Sequence, residues 1–364
     1  MSKKDNGIGK KIVNGILAAN ISLWARIIKN FSDNPAAYLL KESCKQLEKG
    51  NFFLSYRLRL KTALPNYSIL YSDHCSKTAI ILQGPVRHED DFTLETVKFY
   101  KSTVEDAIVI VSTWDTESSV TIEQLKKAGA VVVTTKAPNS GGHLNINYQI
   151  ISSREGIHKA CESGADYICK TRTDQRIGKT HVFDFMKNLL YQFPNTDENQ
   201  NRRMITLSTN YGNMFYPYFL SDFLYFGTAS EMLKMFDFGT DSRDKFTMPS
   251  GSTRRNYAEK SYAPEVFLVK QYLNNLGYVC EDTVESYWNA LKEYFICLDF
   301  KTVDLYWPKY EMKYAEHAIS GAYFGIDSKE ELRTENFDFI NWFNLYSGSL
   351  KYKPEYEKYA DYIL

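Results

Sequence analysis

Lys170-Thr171-Arg172-Thr173-Asp174 sets two cations and a carboxylate at alternate positions, directly after the apolar pair Ile168-Cys169. In an extended segment alternate side chains share a face. Lys170, Arg172 and Asp174 are therefore expected to project together from the end of a strand. A guanidinium offers a forked donor set that matches phosphate oxygens. Unpaired cations on a central strand are costly, which favours a bound anion such as a diphosphate over a salt-bridged strand end. Asp174 is the one residue here suited to Mg2+ or Mn2+, or to a sugar hydroxyl. Two adjacent cations repel a divalent ion, so a metal-free site in which Lys170 and Arg172 replace the metal is an equal alternative.

Transfer of a sugar to a hydroxyl with inversion also calls for a base, whereas a retaining mechanism is the alternative. Asp222 opens the aromatic run 222–227, and Glu265 falls in the first turn of a helix expected over 264–276. These two are the candidates, ahead of Asp115 and Asp304. The plainer roles are a turn or cap for Asp222 and a favourable helix-dipole contact for Glu265.

The elements that must carry these residues follow from the apolar pattern. Apolar runs at 78–82 and 107–112 read as buried strands, the first without alternation and so covered on both faces, and 130–135 and 166–173 read as a third and a fourth strand. Helices are expected between them at 93–102, 120–128 and 146–163, the last two closed by Gly129 and Gly164. This order predicts an α/β fold with a parallel sheet flanked by helices. Ligands of such sheets bind beyond the C-terminal strand ends. Those ends are Gln83-Gly84-Pro85, Thr113-Trp114-Asp115, Thr135-Lys136 and Arg172-Thr173-Asp174. Gln83 and the backbone after Gly84 would face a base or ribose. Trp114 would stack on base or sugar, or fill the core, and Arg154 would reach a phosphate or solvent. Further on, helices are expected at 182–191, 230–236, 336–346 and 354–362, and strands at 204–209 and 222–227. The polar stretch 237–256, with Arg243, Arg254 and Arg255, reads as a lid or a surface excursion.

The block Ser153-Arg154-Glu155-Gly156-Ile157, Ala160 and Gly164-Ala165-Asp166-Tyr167-Ile168 before the charged tetrapeptide resembles the region preceding the Asp-x-Asp motif of GT-A-fold nucleotide-sugar glycosyltransferases. That resemblance puts Asn145, Asn147 and Gln149 where such enzymes contact the donor sugar. It departs from the pattern at Arg172, which stands in place of the first Asp. More narrowly, the chain resembles the WavE family of lipopolysaccharide-synthesis proteins over roughly residues 78–310. The residues that carry this are Leu82-Gln83-Gly84-Pro85, Ser112-Thr113-Trp114, Asn145-Ile146-Asn147-Tyr148-Gln149-Ile150, Ser152-Ser153, the Lys170–Asp174 segment, Ser221-Asp222, Phe226-Gly227 and Pro264-Glu265. The resemblance implies a GT-A-like, mostly parallel sheet and a glycosyltransferase role in bacterial surface glycan assembly, lipopolysaccharide or capsule. A nucleotide sugar would be the donor, and a glycan or lipid-linked glycan the acceptor.

The 364 residues suggest three regions: a helical extension over 1–76, a catalytic domain over 77–300, and a mixed helical and aromatic region over 301–364. Lys+Arg and Asp+Glu are both 44, which argues against a polycation that grips nucleic acid. The six cysteines and six histidines form no CxxC or HExxH spacing, so a preformed zinc site is not expected. GxGxxG, GxxxxGK[ST] and GxSxG motifs are absent, which excludes those dinucleotide, P-loop and hydrolase signatures. No cleavable leader is evident, and free thiols suit a cytoplasmic protein. No run reaches the ~20 apolar residues of a spanning helix. Residues 10–31 instead pair helically spaced apolar side chains with Lys10, Lys11, Arg26 and Lys29, a pattern for peripheral attachment to the inner membrane surface or for docking on the protein's own core. Two other readings stand beside glycosyl transfer: a nucleotidyl- or phosphoryl-transferase using the same strand edge, and a non-catalytic glycan-binding module.

Overall fold

The computed structural model describes residues 7–47, 58, 61–62, 76–208, 214–308 and 338–364. The chain divides into two compact units, Met1–Leu60 and Lys61–Leu364. Expectations that fall between, including Cys75 and most of 48–76, lie outside the described residues, as does Thr209.

The first unit contains helices α1 (Gly7–Ile28) and α2 (Pro35–Leu47). The Asn34 side chain accepts a bond from the Ala37 amide at 3.0 Å and Pro35 occupies the first helical position. This is the usual chemistry of a helix start.

The second unit is built on a sheet. Its strands are β1 (Thr78–Gln83), β2 (Ile108–Trp114), β3 (Val131–Thr135), β4 (Tyr167–Arg172), β6 (Met204–Ser208), β7 (Ser221–Thr228) and β8 (Phe295–Asp299), with the short β5 (Arg176–Ile177) and β9 (Leu305–Tyr306) forming a separate pair. Among the described residues the sheet runs β3-β2-β1-β4-β7-β6-β8. β1 to β4 are mutually parallel, and β6 and β8 run with them. β7 is antiparallel to both neighbours. The α/β architecture expected from the sequence, a mostly parallel sheet flanked by helices, is thus what the chain adopts. The reversal of β7 was not foreseen.

Helices α3 (Phe92–Thr103), α4 (Ser119–Lys127), α5 (Ile146–Glu162), α6 (Val182–Gln192), α7 (Ala229–Phe236), α8 (Arg254–Glu259), α9 (Pro264–Asn275) and α10 (Val284–Tyr294) complete the unit. Strand pairing places Ile81, Gln83, Ile110, Ser112, Lys170, Arg172 and Tyr225 on one face. α5 covers this face closely because Gly156 leaves room: a Cβ there would stand 2.6 Å from Ile81 Cγ2. The other face carries Tyr167 and Phe226, stacked at 5.8 Å, against Phe183 of α6. The helix Phe339–Tyr346 packs on β8 and α10, where Trp342 donates to the Leu291 carbonyl at 3.1 Å. The expected helix over 354–362 is a 3-10 turn at Pro354–Tyr356 followed by the short helix Glu357–Ala360.

Candidate active site

The C-terminal rim of the sheet begins at the end of β1. Gly84 turns the chain with φ of 112°, a conformation open to glycine at little cost. Its amide donates to the Ser112 carbonyl at 3.0 Å, binding the β1 end to β2. Thr173 clasps the same turn. Its amide donates to the Gln83 carbonyl at 3.1 Å and its hydroxyl to the Pro85 carbonyl at 2.6 Å. Gln83 itself is buried, its Oε1 accepting from the Ser152 hydroxyl of α5 at 2.7 Å. The ends of β1 and β4 therefore form one rigid corner.

β7 meets this corner from the opposite direction, so its first residues stand beside the last residues of β4. Here the β6–β7 register jumps. Thr206 pairs Tyr225, but the next residue Leu207 pairs Ser221. Bulges of this kind re-aim side chains and are common beside active sites. The extra residues include Asp222 and Phe223. Lys170 is 0% exposed, and its ammonium donates to the Asp222 main-chain carbonyl at 2.6 Å. The buried lysine is thus a brace for the bulge. It is enclosed and does not project from the rim beside Arg172 and Asp174, which corrects the expected arrangement.

Arg172 and Asp174 lie at the rim but face each other. Arg172 Nε and Nη2 donate to the two carboxylate oxygens at 2.9 and 3.1 Å, with side-chain exposures of 27% and 17%. The Trp307 indole N–H adds a 3.0 Å bond to Asp174 Oδ2, and the guanidinium lies 5.7 Å from that ring's centroid. Trp307 also meets Phe223 edge-on at 4.7 Å. It reaches the rim because β9 pairs antiparallel with β5, just after the Asp174 turn. Composition and periodicity do not single out Trp307. Its only sequence cue is an aromatic residue following a two-residue strand.

Glu265 joins the cluster from the first turn of α9. Burial, then the Asp222 carboxylate, push its carboxyl up to about 8, against the opposing pull of Lys170 and Arg172. Burial pulls Lys170 down to about 8, with Asp222 and Glu265 opposing the fall. Four charged groups on β4, β7 and α9 thus feel one another. Tyr225, opposite Lys170 in the ladder, adds a phenol pushed well up by burial and by both carboxylates. Its buried hydroxyl has no partner among the described residues. Clefts where desolvation and charged partners shift proton affinities are functional-site candidates.

The donor set fits a divalent ion poorly. Both oxygens of Asp174 already accept from Arg172, and one also from Trp307. Among the described residues no three His, Cys, Asp or Glu side chains gather to form a metal site.

Other expected site residues are placed elsewhere. Asn147 is a structural clip: Nδ2 donates to the Ser140 and Asp241 carbonyls at 3.0 and 2.9 Å, and Oδ1 accepts from the Asp241 amide at 2.6 Å. Arg154 donates to the Phe238 carbonyl at 3.1 Å and to Glu155 at 3.3 Å, so it grips the chain rather than reaching for a phosphate. Asn145 is exposed at the start of α5 with φ of 64°. Thr113 is buried in β2, and Trp114 is half-buried, edge-on to Tyr148 at 5.4 Å. Gln149 Nε2, Ser153 Oγ and Ser112 Oγ are buried without partners among the described residues. They line α5 and the adjoining end of β2.

The stretch 237–256 is held down. Arg243 grips Asp241 with two bonds at 2.8 and 3.0 Å and caps the Lys260 and Ser261 carbonyls. His143 stacks on Phe246 at 4.1 Å. Arg254 and Arg255 belong to a helix end and to the C-terminus: Arg255 pairs with Glu357 and Asp361. Neither is available to a donor.

A family model described as WavE lipopolysaccharide synthesis matches residues 78–362. Among solved structures, a cytidylyltransferase from Leptospira borgpetersenii serovar Hardjo-bovis is 17% identical over 45% of this chain and 66% of that chain, with a TM-score of 0.28. Glucosyl-3-phosphoglycerate synthase from Mycobacterium tuberculosis, solved with Mg2+ and uridine diphosphate, is 12% identical over 56% of this chain and 79% of that chain, with a TM-score of 0.25. No curated protein matches the chain.

Proposed function

This chain belongs to the WavE lipopolysaccharide synthesis family, matched over residues 78–362, and we propose that it is a glycosyltransferase moving a sugar from a nucleotide-sugar donor to a growing bacterial surface glycan. The observation that carries the reading is the convergence of Asp222, Glu265, Lys170 and Arg172 where β4, the reversed β7 and the start of α9 meet. Lys170 and Asp222 are buried there at 0% and 7% exposure, and burying charge at a sheet edge costs free energy that a purely structural role does not recover.

The roles follow from the placement. Arg172 is the partly exposed cation of the rim and faces the diphosphate, whose charge grows as it leaves. Asp174 and Trp307 hold the guanidinium in place. The acceptor hydroxyl attacks the anomeric carbon and the carbon–oxygen bond to the diphosphate breaks. The nucleoside diphosphate departs with the bonding electrons, and the hydroxyl proton passes to Glu265. A carboxyl raised to about 8 is a strong proton acceptor once ionised. Asp222 sustains that affinity through its negative charge, and Lys170 fixes Asp222 through its carbonyl. The unpartnered amide and hydroxyls of Gln149, Ser153 and Ser112 favour a polar donor group near the ends of β1 and β2, since buried polar groups are seldom left open. No step is derived through a divalent ion, because the carboxylate that would hold it is already engaged.

Thermal unfolding of the full chain with a panel of nucleoside diphosphates, with and without Mn2+, tests the donor side. One nucleoside diphosphate is expected to raise Tm by about 2 °C or more, without a need for Mn2+, and Arg172→Ala to remove the rise. Silence across the panel contradicts the reading. Release of pyrophosphate in place of a nucleoside diphosphate during turnover would point to a nucleotidyltransferase.

A further inference from the structure

We propose that α1 lies in the plane of an anionic bilayer surface, with its apolar side in the acyl boundary and its basic side among the headgroups. Helical spacing puts Ile12, Val13, Ile16, Leu17, Ile21, Leu23, Trp24 and Ile27 on one broad face. The first seven of these are each more than half exposed, Ile16 at 58% and Trp24 at 54%. A solvent-exposed apolar face of this extent marks an interaction surface.

Charge identifies the occupant. Lys11, Asn14, Ser22, Arg26 and, just past the helix end, Lys29 fall on the opposite side, and α1 contains no Asp or Glu. A basic side next to an apolar side suits anionic lipid. Asn20 interrupts the apolar face, but its amide donates to the Ile16 carbonyl at 2.9 Å. The group therefore enters an apolar surface with a bond already made. Phe31 and Tyr38, edge-on at 5.9 Å, add an aromatic pair of the kind enriched at the membrane–water boundary.

The same helix is long and apolar enough over Lys11–Ile28 to cross a bilayer. A spanning pose would place Asn14, Ser22 and Arg26 in or against hydrocarbon, where polar and charged groups are costly. The in-plane pose leaves all three on the headgroup side.

This inference stands apart from the catalytic reading and is tested without activity. The full chain is floated with phosphatidylcholine vesicles and with vesicles in which about a third of the lipid is phosphatidylglycerol. Binding is expected on the anionic vesicles alone and should fall about tenfold or more in Ile16→Glu/Leu23→Glu. A charge reversal, Lys11→Glu/Arg26→Glu, should lower it as well. These side chains are solvent-exposed, so Tm should stay at the wild-type value. Alkaline carbonate should release the bound protein. Tryptophan quenching lost in Trp24→Phe should be stronger with lipids brominated near the carbonyls than near the chain ends. Equal flotation of the double-Glu variant, equal binding to neutral vesicles, or resistance to carbonate would each overturn the proposal.

Discussion

The Glu265 carboxyl and the Lys170 ammonium are each displaced from their ordinary ranges by burial, in opposite directions, to about 8. This has a consequence for stability. Glu265 keeps its proton in the folded chain at pH values where the unfolded chain, at 4.5, has lost it. The stabilisation this provides is complete below that value and is lost as pH rises through about 8. Lys170 runs the other way. Its folded value lies below 10.5, so the folded chain resists protonating it, and that deficit fades as pH rises from about 8 to 10.5. Glu265→Gln removes the first effect and leaves Lys170 buried, with one fewer carboxylate opposing its fall. The Tm of Glu265→Gln minus that of wild type should grow between about pH 5 and about pH 8.5, by about 2 °C or more. A difference that is flat with pH would mean that Glu265 is not held protonated. Lys170→Met should behave differently. It strips the Asp222 carbonyl of its 2.6 Å donor, so turnover should drop with the apparent base affinity shifted in the pH profile, whereas a purely structural lysine would leave that profile in place. Strand alternation and the cost of an unpaired cation on a central strand both point Lys170 at a phosphate, but the partner it finds is the Asp222 carbonyl. Alternation does predict its face, but not how far along the strand the helices α5 and α7 extend their cover.

The elements that position these residues differ in how well the sequence announces them. β1 to β4 and the helices between them are legible because β1 and β2 are strands covered on both faces that appear as unbroken apolar runs, β3 is a β-branched run at the sheet edge, and Gly129 and Gly164 mark helix ends with positive φ. β7 was legible as a strand but not as a reversed one, since an apolar aromatic run has no direction. The bulge that re-aims Asp222 leaves no composition signal either. β5 and β9 span two residues each, too short for any period, and so Trp307 was invisible as a site residue. α10 was missed although Thr283 caps it through the Ser286 amide, because the aromatic residues around it hide the helical period. The start of α8 falls at the end of the polar stretch 237–256, where a loop is expected, although Thr253 and Asn256 form a reciprocal cap. Packing between elements can be tested directly. Gly156→Val would drive a branched side chain into Ile81 and Ser112. It should cost about 1–3 kcal/mol in chemical denaturation, and an unchanged midpoint would contradict the close approach of α5 to the sheet. Asn147→Ala should speed amide hydrogen exchange around Asp241 while leaving β1 and β4 amides protected. Uniform protection would show that the clip is not what holds the 237–246 stretch.

At the scale of the whole molecule, the general plan of an open α/β sheet places chemistry at its C-terminal rim, and here one reversed strand brings a second set of residues to that rim. The charge balance of 44 basic and 44 acidic residues leaves no global field to attract a polyanion, so recognition rests on local clusters: one on the rim of the second unit and one along α1. The most direct test of the account is turnover by the full chain across a panel of nucleotide sugars with glycan acceptors, read as nucleoside diphosphate released and glycosidic bond formed. Wild type should release one nucleoside diphosphate per bond. Asp222→Asn and Glu265→Gln should each lower kcat by about 10²-fold or more with donor binding intact. Full turnover in both variants, or a wild-type reaction that yields no glycosidic bond with any donor, would contradict the claim that the Asp222–Glu265 rim is a glycosyl-transfer centre.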